Sequence, residues 1–161
     1  MFSVGQTVLY GANGVCRIEE ITKRRIGAFE TEYYVLKPIW SDSSTVYVPT
    51  GNETLVSRIR FVKSADKIRD ILADRSLTMN WIDNKIERAE YFRSVITGED
   101  CRELVALVRL IHTRAAEITS QGKRLHISDE RILREAEKMV GDEIATALGV
   151  SRDEAIGMIL V

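Results

Sequence analysis

The chain has few of the residues on which most enzymes and metal sites depend. Its 161 residues include two cysteines, Cys16 and Cys101, and two histidines, His112 and His126. The cysteines form no CxxC pair and neither histidine stands at metal-ligand spacing from a second pair of ligands, so the sequence predicts neither a zinc site nor a disulfide framework. The stretch GANG at 11–14 has no following lysine and is typical of a turn rather than a phosphate-binding loop. We therefore expect a protein without catalysis, cofactor, metal or small-molecule substrate.

The chain also has no long apolar run and almost no net charge. No run approaches the roughly 18 residues that a membrane-spanning helix needs, and the N-terminal MFSVGQTV has no basic start followed by an apolar stretch, so we expect a cytoplasmic protein. The formal net charge is −1. Residues 1–63 hold 8 Lys+Arg against 6 Asp+Glu, and residues 64–161 hold 15 against 18. Any contact with nucleic acid must therefore depend on local basic patches rather than on a general positive field.

The spacing of apolar residues changes once along the chain and divides it into two parts. Up to about residue 63, short segments rich in β-branched and aromatic residues alternate with the turn-prone stretches GANG, KRRIGA and SDSS. The predicted strands are QTVLY, VCRIEEI, TEYYVLK and TVYVP. After residue 64 the pattern becomes helical and proline is absent. The predicted helices cover about 65–74, 81–97, about 100–119, about 129–148 and a segment from 152. The sequence thus predicts an α+β protein in two domains, a small antiparallel β barrel at 1–63 and an all-α helical bundle at 64–161.

Caps and apolar stripes support the helical part. Gly98 and Gly149 stand where helix C-terminal caps are expected, and SRDE at 151–154 fits a capping box. Two helices have an apolar stripe, which predicts that they bury one another. The stripes are Leu104, Leu107, Val108, Ile111, Ala115 and Ile118 in one helix, and Ile132, Leu133, Ala136, Met139, Val140 and Ile144 in the next.

A tryptophan at the start of a charged helix is the most informative single residue. On a helical wheel of residues 81–96, Trp81, Lys85 and Arg88 share a basic face, and the predicted core-facing stripe is Ile82, Ile86, Ala89 and Ile96. One interpretation is that Trp81 is a structural staple packed against neighbouring apolar residues. The other is that it is an exposed aromatic that wedges against nucleic-acid bases while the two cations hold phosphates. The pattern leaves both open.

A second basic group follows in GKRLHISDERILREAEK. Lys123 and Arg124 lie in a predicted loop, and Arg131, Arg134 and Lys138 share one helix face at i, i+3 and i+7. Because glutamates alternate with these cations, the same pattern is typical of an ordinary solvated helix surface. A role in binding nucleic acid depends on this group lying beside Trp81.

Taken together, these segments resemble the CarD/CdnL-like family of bacterial transcription regulators, whose N-terminal domain is similar to the RNA-polymerase-interacting domain of the transcription-repair coupling factor. The N-terminal signature is FSVGQTVLYGANGVCRIEEI followed by EYYVLKPI and STVYVPT. The C-terminal signature is MNWIDNKIERAEYFRSVITGEDCRELVALVRLI followed by ISDERILREAEKMVGDEIATALG.

The resemblance implies a Tudor-like or SH3-like barrel that binds the β subunit of RNA polymerase through edge-strand pairing. The matching strand is Thr45, Val46, Tyr47, Val48 and Pro49, with Arg24 or Arg25 of the preceding hairpin as a charged neighbour. It also implies a helical domain that touches promoter DNA, with little sequence preference, at the upstream edge of the transcription bubble, where Trp81 would be the minor-groove wedge. The expected protein is a nucleoid-associated regulator that stabilises the open complex. The competing hypothesis is a protein-binding adaptor without a DNA contact, in which Trp81 is the staple.

Overall fold

The computed structural model describes residues 1–40 and 44–161, and these divide into two compact units, residues 1–62 and 63–161. The N-terminal unit is built mainly of β strands, whereas every regular element of the C-terminal unit is an α helix. The prediction of a β part followed by a helical part is confirmed.

One antiparallel sheet of five strands forms the N-terminal unit, in the order β4-β3-β2-β1-β5. The strands are β1 (Thr7–Tyr10), β2 (Val15–Ile26), β3 (Phe29–Pro38), β4 (Val46–Pro49) and β5 (Ile59–Phe61). The four predicted strands are all present. Strand β5 and the one-turn helix α1 (Glu53–Val56) have too few residues to leave a periodic pattern and were not predicted. The predicted SDSS turn falls largely on residues 41–43, which lie outside the described residues.

The turn at GANG is present as a 3-10 turn over Gly11–Asn13, with Gly14 at φ +71. The predicted turn at KRRIGA is wrong in extent, because β2 continues to Ile26 and only Gly27 and Ala28 form the loop. Opposite charges face each other across the two strands here, as Lys23 pairs with Glu32 and Arg25 with Glu30. Such pairs stabilise the two paired strands. Read without its partner strand, the charged segment KRRIGA suggests a loop.

The core of the N-terminal unit lies on one face of its sheet. Its buried members come from all five strands, and those that share a strand are two positions apart, as expected of side chains on one face. They are Val8, Cys16, Ile18, Tyr34, Leu36, Val48 and Ile59.

Five helices form the C-terminal unit. They are α2 (Ala65–Ala73), α3 (Lys85–Gly98), α4 (Cys101–Ser120), α5 (Ile127–Leu148) and α6 (Arg152–Leu160). All five were predicted, and the capping box of Ser151 and Glu154 and the left-handed C-cap at Gly149 are confirmed. The predicted cap at Gly98 is wrong by one residue, because Glu99 takes the left-handed conformation with φ 56. The predicted helix start at residue 81 is also wrong, since Asn84 is the N-cap and its side chain accepts hydrogen bonds from the N–H groups of Ile86 and Glu87.

The stripes of α4 and α5 supply much of the C-terminal core, as predicted. Leu104, Leu107, Val108 and Ile111 of α4 are at most 3% exposed. The predicted stripe of α3 is wrong in part, because Ile86 is 73% exposed and Ala89 is also exposed. The buried residues of α3 are instead Arg88, Phe92, Val95 and Ile96. An arginine occupies a core position here, which a wheel of apolar residues alone does not predict.

Candidate functional site

Strand β4 contains four of the five residues of the predicted docking strand. It pairs with β3 on one side and ends the sheet on the other, and among the described residues no strand pairs with that outer edge. Val48 points into the core, whereas Tyr47 is 43% exposed. Thr45 precedes the strand and is exposed. An edge strand of this kind offers backbone N–H and C=O groups to an added strand, with alternate side chains available for specificity.

Tyr47 is held in place by two neighbours on the solvated face of the sheet. Arg24 donates a hydrogen bond from Nη2 to the Tyr47 hydroxyl at 3.1 Å, and its guanidinium carbon lies 4.8 Å from the ring centroid. The ring of Tyr33 meets that of Tyr47 edge-on, with the centroids 6.0 Å apart. The structure thus brings Arg24 and Tyr47 together. We call Arg24, Tyr33 and Tyr47 the tyrosine patch.

The two arginines proposed as alternatives lie on different faces of the ribbon. In the register of β2 and β3, Arg24 is opposite Thr31, and Arg25 is opposite Glu30. Because successive side chains of a strand alternate between faces, Arg25 points away from the face that carries Tyr47. Arg24 is therefore the charged neighbour of the docking strand.

Trp81 lies in the segment that connects α2 to α3, before the helix begins. It is partly buried and packs against the C-terminal core, where its ring meets that of Phe92 edge-on at 6.0 Å between centroids. Two guanidinium carbons approach the same ring, that of Arg88 at 4.5 Å from the centroid and that of Arg114 at 5.3 Å. Trp81 has features of both the structural staple and the exposed aromatic, because it packs against the core and part of its surface is still exposed.

Arg88 is an internal residue and not a surface cation. Only 5% of it is exposed, and it donates from Nε and Nη2 to the two carboxylate oxygens of Asp129 at 3.0 and 2.9 Å. Its Nη1 donates to the main-chain carbonyls of Ile82 and Asp83 at 2.8 and 3.1 Å. Four of its five N–H groups are therefore used within the protein. Arg88 fixes the segment that carries Trp81, and this geometry leaves it unsuited to hold a phosphate.

The Arg88–Asp129 pair brings the start of α3 next to the start of α5. A second pair, Arg93 Nη1 with Glu135 Oε2 at 2.9 Å, joins the same helices farther along both of them. The two helices therefore run in the same direction, and their N-termini are neighbours. A helix N-terminus carries a partial positive charge and favours negative groups. Two neighbouring N-termini therefore add to the positive charge of any cations that lie beside them.

The remaining predicted cations are exposed around these two helix starts. Lys85 is the first residue of α3, and Lys123 and Arg124 lie in the short segment before α5. Arg131 and Arg134 are exposed on α5 itself, and Arg134 lies 3.8 Å from Glu130 in an i, i+4 pair. Because α5 starts at Ile127, the basic loop lies on the same side of the unit as Trp81.

Three residues of these sites were not predicted from the sequence. Tyr33 supports the docking strand, Arg114 stacks on Trp81, and Asp129 binds Arg88. The residue Arg114 borders the predicted apolar stripe of α4 at i+3 from Ile111, and this spacing was the available signal. The partnership of Arg88 and Asp129 spans 41 positions and leaves no local pattern.

Both thiols are buried. Burial, together with the nearby Glu143 carboxylate, raises the pKa of the Cys101 thiol to about 12. Among residues 1–40 and 44–161, no group of three or more His, Cys, Asp or Glu residues could hold a metal ion. No helix in the described part of the chain combines the length and the apolar character needed to cross a bilayer.

The N-terminal unit matches a known protein family. The model of the CarD-like/TRCF RID domain family matches residues 2–60, which cover nearly the whole N-terminal unit. No curated protein matches the chain. The N-terminal unit is thus a CarD-like/TRCF RID domain, and this domain type indicates interaction with RNA polymerase.

Proposed function

Since residues 2–60 are a CarD-like/TRCF RID domain, we propose that this protein is a transcription regulator that binds the β subunit of RNA polymerase and contacts promoter DNA. The observation that carries the proposal is the open edge of β4 together with the tyrosine patch beside it. The consecutive antiparallel order of β1 to β4, with β5 returning to pair β1, supports a Tudor-like barrel as the finer description of the unit.

In this proposal β4 extends a sheet of the polymerase. Backbone hydrogen bonds along the strand supply affinity, and Tyr47 supplies an aromatic contact whose orientation Arg24 and Tyr33 fix in advance. A side chain that is already ordered loses less conformational freedom on binding.

The C-terminal unit would act at promoter DNA. Lys85, Lys123 and Arg124 are exposed cations that can contact phosphates, and the exposed part of Trp81 can lean into the minor groove at the edge of the bubble. Such contacts read little of the base sequence. By binding the open promoter complex better than the closed one, the protein would shift that equilibrium by its differential affinity and would need no catalysis. This role implies a cytoplasmic, nucleoid-associated protein.

The polymerase contact is tested with the full chain and bacterial core RNA polymerase. We expect Tyr47→Glu to weaken binding at least tenfold in a fluorescence titration, because the substitution removes the aromatic contact and places a carboxylate that must be desolvated at the interface. Tyr91→Glu is the matched control, since Tyr91 is 42% exposed on the C-terminal unit against 43% for Tyr47. Equal binding by the wild type and the Tyr47 variant would show that β4 does not form part of the interface.

The DNA contact is tested by charge reversal and by removing the tryptophan. Lys123→Glu with Arg124→Glu should shorten the lifetime of heparin-challenged open complexes without changing polymerase binding, because both side chains are exposed and folding does not depend on them. Trp81→Ala should weaken open-complex stabilisation by about 5- to 150-fold, as expected for loss of one aromatic contact to a base. Trp40→Ala, which replaces a 42% exposed tryptophan of the other unit, is its control.

One observation favours the second candidate, an adaptor that binds only proteins. Trp81 packs on Phe92 and lies against two guanidinium groups, which is also how a structural staple would be held. Iodide quenching in a Trp40→Phe background separates the candidates, because only Trp81 then reports. Protection of Trp81 from iodide by fork DNA supports the DNA contact, whereas unchanged quenching supports the adaptor.

A further inference from the structure

A cleft in the C-terminal unit takes no part in the polymerase and DNA contacts proposed above. Its volume is about 420 Å³, which falls within the range of small-molecule sites. Its walls are the segment between α2 and α3, one side of α4 and the end of α6. The apolar residues along these walls include Leu77, Met79, Leu110 and Leu160. Because Leu77 and Met79 belong to the segment between α2 and α3, the cleft adjoins the stretch that carries Trp81.

The charges that line the cleft are positive. Arg75 and Arg109 line it together with two threonines, and in the part of the chain that the structure describes no aspartate or glutamate does so. The nearest acid along the chain, Asp74, is bound by Arg102 and by the hydroxyl of Ser76. Apolar walls combined with a few polar groups are typical of sites for small molecules. The composition of this cleft suits a ligand with an apolar body and an anionic end.

The two arginines differ in how they are held. Arg109 donates three of its five N–H groups to the main-chain carbonyls of Leu72, Asp74 and Ile159 at 2.8–2.9 Å, which fixes its guanidinium at the cleft. Arg75 is exposed and forms no ion pair with any acid that the structure describes. Burial lowers the pKa of Arg109, and the nearby charge of Arg75 lowers it as well. An anion beside both guanidinium groups would stabilise their charged forms.

We infer that this cleft binds a small amphipathic carboxylate, whose carboxylate group is held by Arg75 and Arg109. The apolar body of the ligand would lie along the half-buried side chains of Leu77, Met79 and Leu110 and remove them from water. A guanidinium can donate two parallel hydrogen bonds to a carboxylate, and such charge-assisted bonds are stronger than those to a neutral group. The inference goes beyond the proposed function, since this binding needs neither polymerase nor DNA.

The experiment is a calorimetric titration of the full chain with decanoate, at concentrations below those at which decanoate forms micelles. Decyltrimethylammonium is titrated in parallel, because it has the same apolar chain and the opposite charge. We expect saturable binding of decanoate and binding of the cationic probe that is weaker by at least about tenfold, since two positive charges repel it.

Two matched pairs of variants locate the site. Arg75→Gln should weaken decanoate binding by about fivefold or more, whereas Arg69→Gln, which changes an exposed arginine of α2 outside the cleft, should leave it unchanged. Thr113→Glu adds a carboxylate at the exposed edge of the cleft and should also weaken binding, whereas Thr113→Gln adds a side chain of similar shape without the charge and should not. Thermal unfolding of all four variants checks that each is folded.

The outcomes either support the inference or overturn it. Absence of decanoate binding by the wild type overturns it, and so does equally tight binding of decyltrimethylammonium. Equal binding of decanoate by the wild type and Arg75→Gln, or equal weakening by Arg75→Gln and Arg69→Gln, also overturns it, because the anion is then not held at the cleft. Each of these results leaves the proposed function standing, since the polymerase titration tests that function separately.

Discussion

Replacing Arg88 by alanine should destabilise the C-terminal unit severely, and the structure allows the size of the effect to be worked out. The substitution removes the two hydrogen bonds to Asp129, which is 3% exposed, and leaves its carboxylate buried without its cation. Breaking a buried pair from one side typically costs about 3–5 kcal/mol. Small domains have unfolding free energies of about 5–15 kcal/mol, so the variant should lose a large part of its stability.

The double variant tests the reasoning. Arg88→Met combined with Asp129→Leu removes both charges, and because paired buried charges are expensive to desolvate, it should be more stable than Arg88→Ala. Urea unfolding followed by circular dichroism measures each free energy, and the Trp81 emission of a Trp40→Phe background reports the local packing. If Arg88→Ala lost less than about 1 kcal/mol, the pair would behave like an exposed one, and the structural role given to Arg88 would be refuted.

Three further predictions concern the C-terminal unit. Cys101 should resist iodoacetamide in the folded protein and react only after unfolding, because it is 1% exposed and its pKa is raised to about 12; fast modification of the native protein, seen by mass spectrometry, would contradict its burial. Arg109→Met should destabilise the unit by about 2–4 kcal/mol in urea unfolding, since Arg109 donates to the carbonyls of Leu72, Asp74 and Ile159 at 2.8–2.9 Å; a loss below about 0.5 kcal/mol would mean that water replaces it. Burial raises the pKa of Asp142 even though Arg152 binds it, so the stability it contributes is present below its unfolded pKa and is lost as pH rises through the folded one. The unfolding free energy of Asp142→Asn relative to the wild type should therefore increase between about pH 4 and pH 7, and a decrease would show that Arg152 dominates.

The fold was predictable where local pattern and long-range packing agree. The stripes of α4 and α5 and the capping box at Ser151 depend on residues within a few turns of each other, and they were predicted correctly. The start of α3 was not, because Ile82 and Ile86 gave an apolar spacing that continued the helical pattern past its true beginning. The side chain of Asn84 caps the helix instead, and this local signal was available in the sequence.

The candidate sites were predictable only in part, for a physical reason. The edge position of β4 and the contact of Arg24 with Tyr47 depend on the pairing of three strands, and residue type alone does not distinguish Arg24 from Arg25. The extension of β2 to Ile26 was not predicted, because the charges of KRRIGA suggest a loop when their cross-strand partners are not known. Register decides which face each of these side chains occupies.

Burial divides the basic residues around Trp81 into two groups that charge alone cannot separate. Arg88 is buried and bound to Asp129, so its charge is neutralised within the unit, whereas Arg114 is partly exposed and lies 3.2 Å from the exposed Glu117. Lys85, Lys123 and Arg124 are exposed, and in the proposed contact they would be the charges that release counterions from DNA. The buried Arg88 therefore orients the tryptophan, while the exposed cations would supply the attraction. A chain with a net charge of −1 can bind a polyanion in this way, because only the few exposed cations near one ordered aromatic need to face it.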